Sequence, residues 1–146
     1  MIVGEVNIKT YLSKSKLPGV DYSINPYVGC PHKCIYCYAE YMKKFTAHPE
    51  PWGEFLDVRR CPVPLRPYML FHTHVMLSSV TDAYNPYEKQ FRLTRKLMEQ
   101  LVFCQAHVQV LTKSPLIVRD IDLFKQLPSF EGAFSFSSSQ DSFRQL

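Results

Sequence analysis

Three cysteines in one short loop have the spacing of a metal-binding group. Cys30, Cys34 and Cys37 are spaced C-x3-C-x2-C in the segment Gly29–Ala39. Side chains in so short a loop converge on a common centre, and soft sulfur ligands select iron–sulfur clusters or zinc. Because three cysteines leave one coordination position open, a cubane cluster would keep one iron free for a small molecule. A zinc ion would instead keep that position for His32 or for water.

Disulfide pairing explains these thiols poorly, because three is an odd number and the chain shows no secretory signal. The start Met1–Glu5 lacks the basic residues and the apolar core of a signal peptide. The sequence also has no apolar run long enough to span a membrane. We therefore expect a cytoplasmic protein with reduced cysteines and no membrane contact. Cys104 continues the apolar stripe of a predicted helix and is expected in the core.

Length and charge are those of an ordinary globular protein. The 146 residues suggest one domain. The net charge of +4 permits nucleic-acid contact but does not indicate it, since nucleic-acid-binding proteins usually concentrate their charge in one patch. The basic clusters of this chain are short and scattered, and we interpret them as solvated surface.

Strands alternate with helices along most of the chain, which predicts an α/β fold with parallel strands joined by right-handed crossovers. Residues 1–22 are expected to form an N-terminal extension with a short strand near Val3–Ile8. The segment Ala47–Pro67 carries five prolines, so we expect an irregular excursion without a central strand, anchored by Trp52 and Phe55. The other predicted elements are, in order, a strand at Tyr22–Val28, a helix at Tyr38–Phe45, a strand near Val75–Ser79, a helix at Pro86–Cys104, a strand at Val108–Thr112, a helix from Ser114-Pro115 and a strand at Gly132–Ser137.

Local patterns predict how two of the helices begin and which side they bury. Asn85 suits an N-cap, Pro86 the first helical position and Glu88 the third, which together form a capping box. In the helix that starts at Ser114-Pro115, an apolar stripe is expected to face inward: Ile117, Ile121, Phe124 and Leu127.

Side chains able to bind a ligand lie at or just after the carboxyl end of each of the four predicted parallel strands. Cys30–Cys37 come after the first strand, Ser78–Asp82 after the second and Lys113-Ser114 after the third, and the fourth strand contributes Ser135. The carboxyl ends of parallel strands meet at one edge of a sheet, where α/β proteins bind their ligands. The sequence therefore predicts one binding site at this edge.

The cysteine spacing, with Tyr36 directly before Cys37, resembles the radical SAM superfamily. The run Ile24–Ala39 and the segment Ser79–Pro86 resemble its spore photoproduct lyase-like branch, often labelled DNA repair photolyase. The resemblance implies a partial (β/α) barrel over residues 23–146, with about four parallel strands, helices on the outer face and fewer than the roughly six strand–helix units of the family. It also implies that the three cysteines hold a [4Fe–4S] cluster whose open iron chelates S-adenosylmethionine.

The resemblance further implies the reaction. The reduced cluster gives one electron to the bound S-adenosylmethionine, the C5′–S bond breaks, and a 5′-deoxyadenosyl radical abstracts a hydrogen atom from an unknown substrate. Spore photoproduct lyases place a hydrogen-donating cysteine where this chain has Ser79. A serine O–H bond is too strong for that donation, so repair of spore photoproduct by the same route is not expected.

The resemblance assigns seven residues to cofactor binding: Tyr36, Tyr38, Ser79, Thr81, Asp82, Lys113 and Ser135. Among them, Thr81 and Asp82 would meet the methionine ammonium. Lys113 would meet the carboxylate or the ribose, as would Ser135, and Tyr36 would lie against the adenine. Alternatives stay open, namely a helix cap for Asp82, an ordinary surface lysine for Lys113, turn chemistry for Ser135 and packing for Tyr38.

The residues around these motifs carry further expectations. In the radical SAM interpretation His32 points outward, and Arg119 with Asp120 forms a helix-surface pair. His72 and His74 are expected to alternate with Phe71 and Val75 on a strand, where they either face the pocket or are buried and hydrogen-bonded.

Two other interpretations of the cysteine loop remain, a Cys3His zinc module with His32 and a non-catalytic remnant that keeps the cluster. The fourth strand would be an exposed edge, and such edges favour self-association. The small number of strands is explained by a truncated sequence, by a second chain that completes the sheet, or by an unusually small fold.

Overall fold

The computed structural model describes residues 1–135, which form a mixed α/β fold with two open sheets and no closed barrel among them. The strands are β1 (Ile2–Asn7), β2 (Leu12–Lys14), β3 (Tyr22–Ile24), β4 (Tyr27–Val28), β5 (Phe55–Arg60), β6 (His74–Leu77), β7 (His107–Thr112) and β8 (Ser129–Phe134). The α-helices are α1 (Pro67–Leu70), α2 (Glu88–Phe91), α3 (Leu93–Cys104) and α4 (Ile121–Phe124), and 3-10 helices cover Tyr38–Phe45 and Pro115–Asp120.

The larger sheet has the order β2-β3-β6-β7-β8. Strands β3, β6, β7 and β8 are parallel, as predicted, and β2 pairs antiparallel with β3 at one side. Their carboxyl ends therefore lie at one edge of the sheet, just before the polar segments that the sequence singled out. At the other side β8 is the outermost described strand and pairs with β7.

The smaller sheet was not predicted, and it corrects the expectation for the proline-rich segment. Strand β5 lies at its centre, parallel to β1 and antiparallel to β4. The five prolines fall on either side of Phe55–Arg60, so every residue of that strand keeps its backbone N–H for pairing. Phe55 is fully buried, and its ring meets Trp52 edge-on at 5.7 Å, so these two aromatic residues do anchor the segment.

The first predicted strand is split by Asn25-Pro26. Strand β3 ends at Ile24 in the larger sheet, and Tyr27–Val28 crosses to the smaller sheet, where it pairs with β5. Pro26 cannot donate a ladder hydrogen bond, which accounts for the break. The strand predicted near Val3–Ile8 is confirmed as β1.

The long predicted helix is also broken, at Arg92, whose φ of 51° is left-handed. Glu88 does not complete a capping box. Its buried carboxylate instead accepts hydrogen bonds from the backbone N–H of Thr94 at 2.6 Å, from Tyr27 Oη at 2.7 Å and from Arg119 at 2.6 Å. Glu88 therefore caps the second helical segment and ties it to β4.

Arg119 and Asp120 do not form the predicted surface pair. Asp120 is fully buried and accepts hydrogen bonds from Arg119, Arg95 and Tyr84 Oη. These charges are acceptable in the interior because each one is paired and hydrogen-bonded. Together with Glu88 they fix the segment that follows the Ser78–Asp82 motif against helix α3.

The predicted helix after Ser114 is irregular. Ser114 Oγ accepts from the N–H of Leu116, as an N-cap does, but the first turns are a 3-10 helix before α4. Because a 3-10 helix has three residues per turn, the apolar phase shifts. Ile117 and Leu127 are buried as predicted, whereas Ile121 is 42% exposed and Leu123 takes the inward position.

The last predicted strand begins earlier than expected, since β8 covers Ser129–Phe134. Residues 136 and 137, which belonged to that prediction, lie outside the described residues. The main core forms between the larger sheet and helix α3, where Leu97, Met98 and Leu101 pack in one cluster with Val75 and Leu77. Within residues 1–135, no helix is long and apolar enough to cross a membrane.

Candidate functional site

One cavity lies at the carboxyl edge of the larger sheet, and every predicted site residue lines it. The cysteine loop forms one wall, the segment after β6 forms another, and the ends of β7 and β8 close the third side. The predicted residues on its walls are Cys30, Cys34, Cys37, Tyr36, Tyr38, Ser79, Thr81, Asp82, Lys113 and Ser135. The topology therefore brings together residues that are up to 105 positions apart in the sequence.

The cysteine loop is held at both ends. Gly29 has a φ of 91°, and a Cβ at this position would overlap the backbone carbonyl oxygen of Phe55. Thr81 Oγ1 donates a hydrogen bond of 2.7 Å to the Gly29 carbonyl, which ties the start of the loop to the segment after β6. At the other end, the N–H of Cys37 donates to the carbonyl of Cys34 at 3.1 Å, and the 3-10 helix follows directly.

Asp82 connects the walls of the cavity. Its Oδ1 accepts from Tyr84 N–H at 2.8 Å and from Thr112 Oγ1 at 2.7 Å. Its Oδ2 accepts from Lys113 N–H at 3.0 Å and lies 2.8 Å from His32 Nε2. Burial raises the pKa of Asp82, but these hydrogen bonds outweigh burial, so the pKa lies below its ordinary value. The carboxylate does not cap the following helix, which begins six residues later.

His32 is turned inward, contrary to the expectation that it points outward. The contact with Asp82 holds its ring at the cavity wall. A histidine that shares a hydrogen bond with a buried carboxylate has a fixed ring orientation. The other ring nitrogen, Nδ1, is the one left for any further contact.

Lys113 crosses the mouth of the cavity. Its Nζ donates to Tyr36 Oη at 2.6 Å and to Ser135 Oγ at 3.3 Å, and it lies 5.1 Å from the centre of the Tyr36 ring. Burial lowers the pKa of Lys113, but the hydrogen bond with Tyr36 and the nearby Cys34 outweigh burial, so the pKa lies above its ordinary value. The side chain thus carries a positive charge beside the cysteine loop.

The two tyrosines that flank Cys37 are both on the rim. Tyr36 and Tyr38 are exposed, and Tyr38 Oη donates to the carbonyl of Ser79. Their rings offer flat apolar surfaces beside the cavity, of the kind on which a planar heterocycle stacks.

Ser79 and Val80, which follow β6, are held by Asn25. Asn25 Oδ1 accepts from the N–H groups of Ser79 and Val80 at 3.0 and 3.2 Å, and its Nδ2 donates to Ser79 Oγ at 3.4 Å. Ser78 belongs to the predicted segment Ser78–Asp82 but was not among the residues that the resemblance assigned to cofactor binding, and it also lines the cavity.

The donor chemistry of the cavity fits an iron–sulfur cluster. Three thiols share one cavity wall, and thiolates are the ligands that hold such clusters. Burial raises the pKa of the Cys30 thiol to about 11, so ligation would replace its proton by a metal. Among residues 1–135, no three His, Cys, Asp or Glu side chains are close enough together for a single metal ion. A cubane cluster needs its three cysteine thiols farther apart than a single metal ion does, because each cysteine ligates a different iron.

The remaining candidates lie elsewhere. His74 stacks on His107 with ring centres 4.6 Å apart, at the amino ends of β6 and β7 and so at the edge opposite the cavity. His72 precedes β6 with a φ of 58° and does not alternate with His74 on a strand. Neither is buried, which corrects both expectations for this pair. Cys61 lies outside the cavity, and Cys104 is in the core, as predicted.

Comparisons with known proteins show relatives without an assigned function. An uncharacterized protein of Methanocaldococcus jannaschii is 34% identical over 141 residues, which cover 97% of this chain and 54% of the relative. An uncharacterized protein of Acidianus two-tailed virus is 30% identical over 146 residues, which cover 84% of this chain and 48% of the relative. The chain thus spans about half the length of these curated relatives. No family model and no solved structure matches the chain.

Proposed function

We propose that the chain is a radical SAM iron–sulfur protein, similar to the spore photoproduct lyase-like branch, that binds a [4Fe–4S] cluster and S-adenosylmethionine. The observation that carries the proposal is the meeting of all ten predicted side chains on one cavity. The cysteine motif alone would also suit a zinc module. A zinc module gives no reason for Tyr36, Asp82, Lys113 and Ser135 to surround the same space.

In this proposal the four parallel strands β3, β6, β7 and β8 are an arc of a radical SAM barrel. Cys30, Cys34 and Cys37 would hold the cluster, whose chemistry, when bound, is the one-electron cleavage of S-adenosylmethionine that starts hydrogen abstraction from a substrate. The smaller sheet supports this arc from behind the cysteine loop, because Phe55 of β5 packs against Gly29.

Lys113 and Tyr36 would bind the two ends of S-adenosylmethionine. The charged Lys113 Nζ attracts a carboxylate, and its partners Tyr36 Oη and Ser135 Oγ are hydroxyl groups that exchange readily for ligand oxygens. The exposed Tyr36 ring suits stacking with adenine.

Asp82 would act mainly by positioning. A carboxylate has about four lone-pair sites, and all four are used by the contacts described above. Its negative charge still favours an ammonium group nearby, while its hydrogen bonds fix the backbone of Lys113 and the ring of His32. The Thr81 hydroxyl likewise already donates to the Gly29 carbonyl, so Thr81 would act by positioning the cysteine loop.

Ser79 would not serve as a hydrogen-atom donor. Its hydroxyl bonds to Asn25, and a serine O–H bond is too strong to give a hydrogen atom to a carbon radical. We therefore propose a substrate and reaction different from the repair of spore photoproduct.

The test is anaerobic cleavage of S-adenosylmethionine. The chain is reconstituted with iron and sulfide, reduced with dithionite and incubated with S-adenosylmethionine, and 5′-deoxyadenosine is measured by mass spectrometry. We expect product from the wild-type chain and from Cys61→Ala, whose thiol lies outside the cavity, and none from Cys34→Ala.

A cluster that forms without any product would contradict the proposed cleavage and support the non-catalytic remnant. Stoichiometric zinc in colourless protein, with no cluster after reconstitution, would contradict the proposal and support the Cys3His module.

A further inference from the structure

Ser78 has a buried hydroxyl that finds no hydrogen-bond partner among residues 1–135. Within residues 1–135, only two buried side-chain polar atoms lack a partner, Ser78 Oγ and Trp52 Nε1. Trp52 lies outside the cavity, whereas Ser78 lines it and is only 3% exposed. A buried polar group without a partner is unfavourable unless a bound molecule completes it.

The backbone of Ser78 is unfavourable as well. Its φ of 66° is left-handed, a conformation that glycine adopts freely and serine does not. The hydrogen bond of 2.7 Å from its N–H to the Ile24 carbonyl holds the residue in this conformation. Strained non-glycine residues of this kind concentrate at ligand-binding sites.

Two apolar residues of the cavity lie close to Ser78 along the ends of the strands. Met76 and Leu111 line the same cavity beside it and are apolar. Leu77 pairs with Val110, so Ser78 and Leu111 follow the last paired positions of β6 and β7 at the same level. In pockets, polar groups set among apolar lining side chains fix the orientation of a ligand.

We propose that Ser78 Oγ is a direct hydrogen-bonding contact for the S-adenosylmethionine molecule that fills this cavity. This inference rests on the proposed function and adds a binding residue to it. The hydroxyl can donate or accept, so it would pair with a polar atom of the ligand that enters deepest.

The experiment measures binding without turnover. Wild-type, Ser78→Ala and Ser78→Gly chains are loaded with cluster and kept oxidised, and the affinity for S-adenosylmethionine is measured by equilibrium dialysis. Both variants should bind about tenfold more weakly, the usual effect of losing one buried hydrogen bond. Ser23→Ala is the matched control, since Ser23 is also buried, but outside the cavity, and its affinity should equal that of wild type.

Thermal unfolding of the same chains without ligand separates binding from folding. Ser78→Ala should melt no lower than wild type, because the lost hydroxyl has no partner in the part of the chain that the structure describes. Ser78→Gly should melt no lower than Ser78→Ala, because glycine relieves the left-handed strain, which offsets its greater chain entropy.

Three results would overturn the inference. Unchanged affinity in both Ser78 variants would mean that the Ser78 hydroxyl forms its hydrogen bond with water and not with the ligand. A lower melting temperature of ligand-free Ser78→Ala would mean that the protein already uses it. Absence of S-adenosylmethionine binding by the wild-type chain would overturn this inference together with the proposed function.

Discussion

The Asp82 carboxylate joins three segments of the candidate site, and its replacement tests that role. In Asp82→Asn one acceptor oxygen becomes an NH2 group, which meets the donors that Asp82 now satisfies. We expect a loss of about 1–3 kcal/mol in the free energy of unfolding, since at least one buried donor loses its partner. Denaturant unfolding measures this loss.

Asp122→Asn is the matched control for that variant. Asp122 is an exposed carboxylate that pairs with Arg95 at the surface. Its amide variant should unfold at nearly the wild-type denaturant concentration. Equal effects of the two substitutions would show that Asp82 has no special connecting role.

His48 gives the chain a pH-dependent contact away from the site. Its Nδ1 lies 3.1 Å from Glu50 and its Nε2 2.8 Å from Asp57, so only the protonated ring can donate to both carboxylates. Burial lowers the pKa of His48, but the hydrogen bonds with Asp57 and Glu50 raise it above its ordinary value of 6.5. Because the folded-state pKa is the higher one, this stabilisation is complete below about pH 6.5 and is lost as the pH rises through the folded-state pKa.

The comparison variant is His48→Phe, which keeps a ring to stack on Phe55. We expect the difference in unfolding free energy between wild type and variant to be larger at pH 6 than at pH 8.5. Lys43 also acts on Glu50 and is unchanged in both chains. A difference that does not change with pH would contradict a charged His48.

Sequence reasoning located most residues of the site but missed two of their roles. The cysteine spacing and the family resemblance together named ten site residues, and all ten line the cavity. Ser78 escaped because its special features, a left-handed φ and an unpartnered hydroxyl, depend on the tertiary structure. The inward turn of His32 escaped for the same reason, since its partner Asp82 is 50 residues away.

The cysteine loop needs glycine at its start. At Gly29 an added Cβ would meet the backbone oxygen of Phe55, whereas at Gly19, also left-handed with a φ of 74°, the space is open. We expect Gly19→Ala to cost about 1–2 kcal/mol from backbone strain alone. Gly29→Ala should cost clearly more and reduce the iron bound after reconstitution, because backbone must move at the loop.

Denaturant unfolding and iron analysis of both variants measure these effects. Similar losses in stability and full iron binding by Gly29→Ala would contradict the close approach of Gly29 to β5.

Elements with strong local patterns were predicted well, and those governed by distant contacts were not. Strands β6 and β7 and the core position of Cys104 on α3 follow from periodicity and are confirmed. Strand β5 was missed because the prolines around it concealed six residues that pair with β1, more than 50 positions earlier. The break at Arg92 was missed because the buried Glu88, not the local pattern, decides where α3 begins.

Both sheets support the walls of the cavity. The larger sheet supplies its floor and three of its segments, and the smaller sheet supports the cysteine loop through β4 and β5. The parallel order of β3, β6, β7 and β8 followed from strand–helix alternation. The smaller sheet depends on the pairing between β1 and β5, which no local sequence pattern predicts.

In the proposed function, three thiolates hold a cluster with one iron open to the ligand of this cavity. Electron paramagnetic resonance of the reconstituted, reduced chain is the decisive test, with spectra recorded before and after addition of S-adenosylmethionine. We expect a [4Fe–4S] signal that changes when the ligand is added and that is absent from Cys34→Ala. A cluster signal that stays the same with saturating S-adenosylmethionine would contradict it.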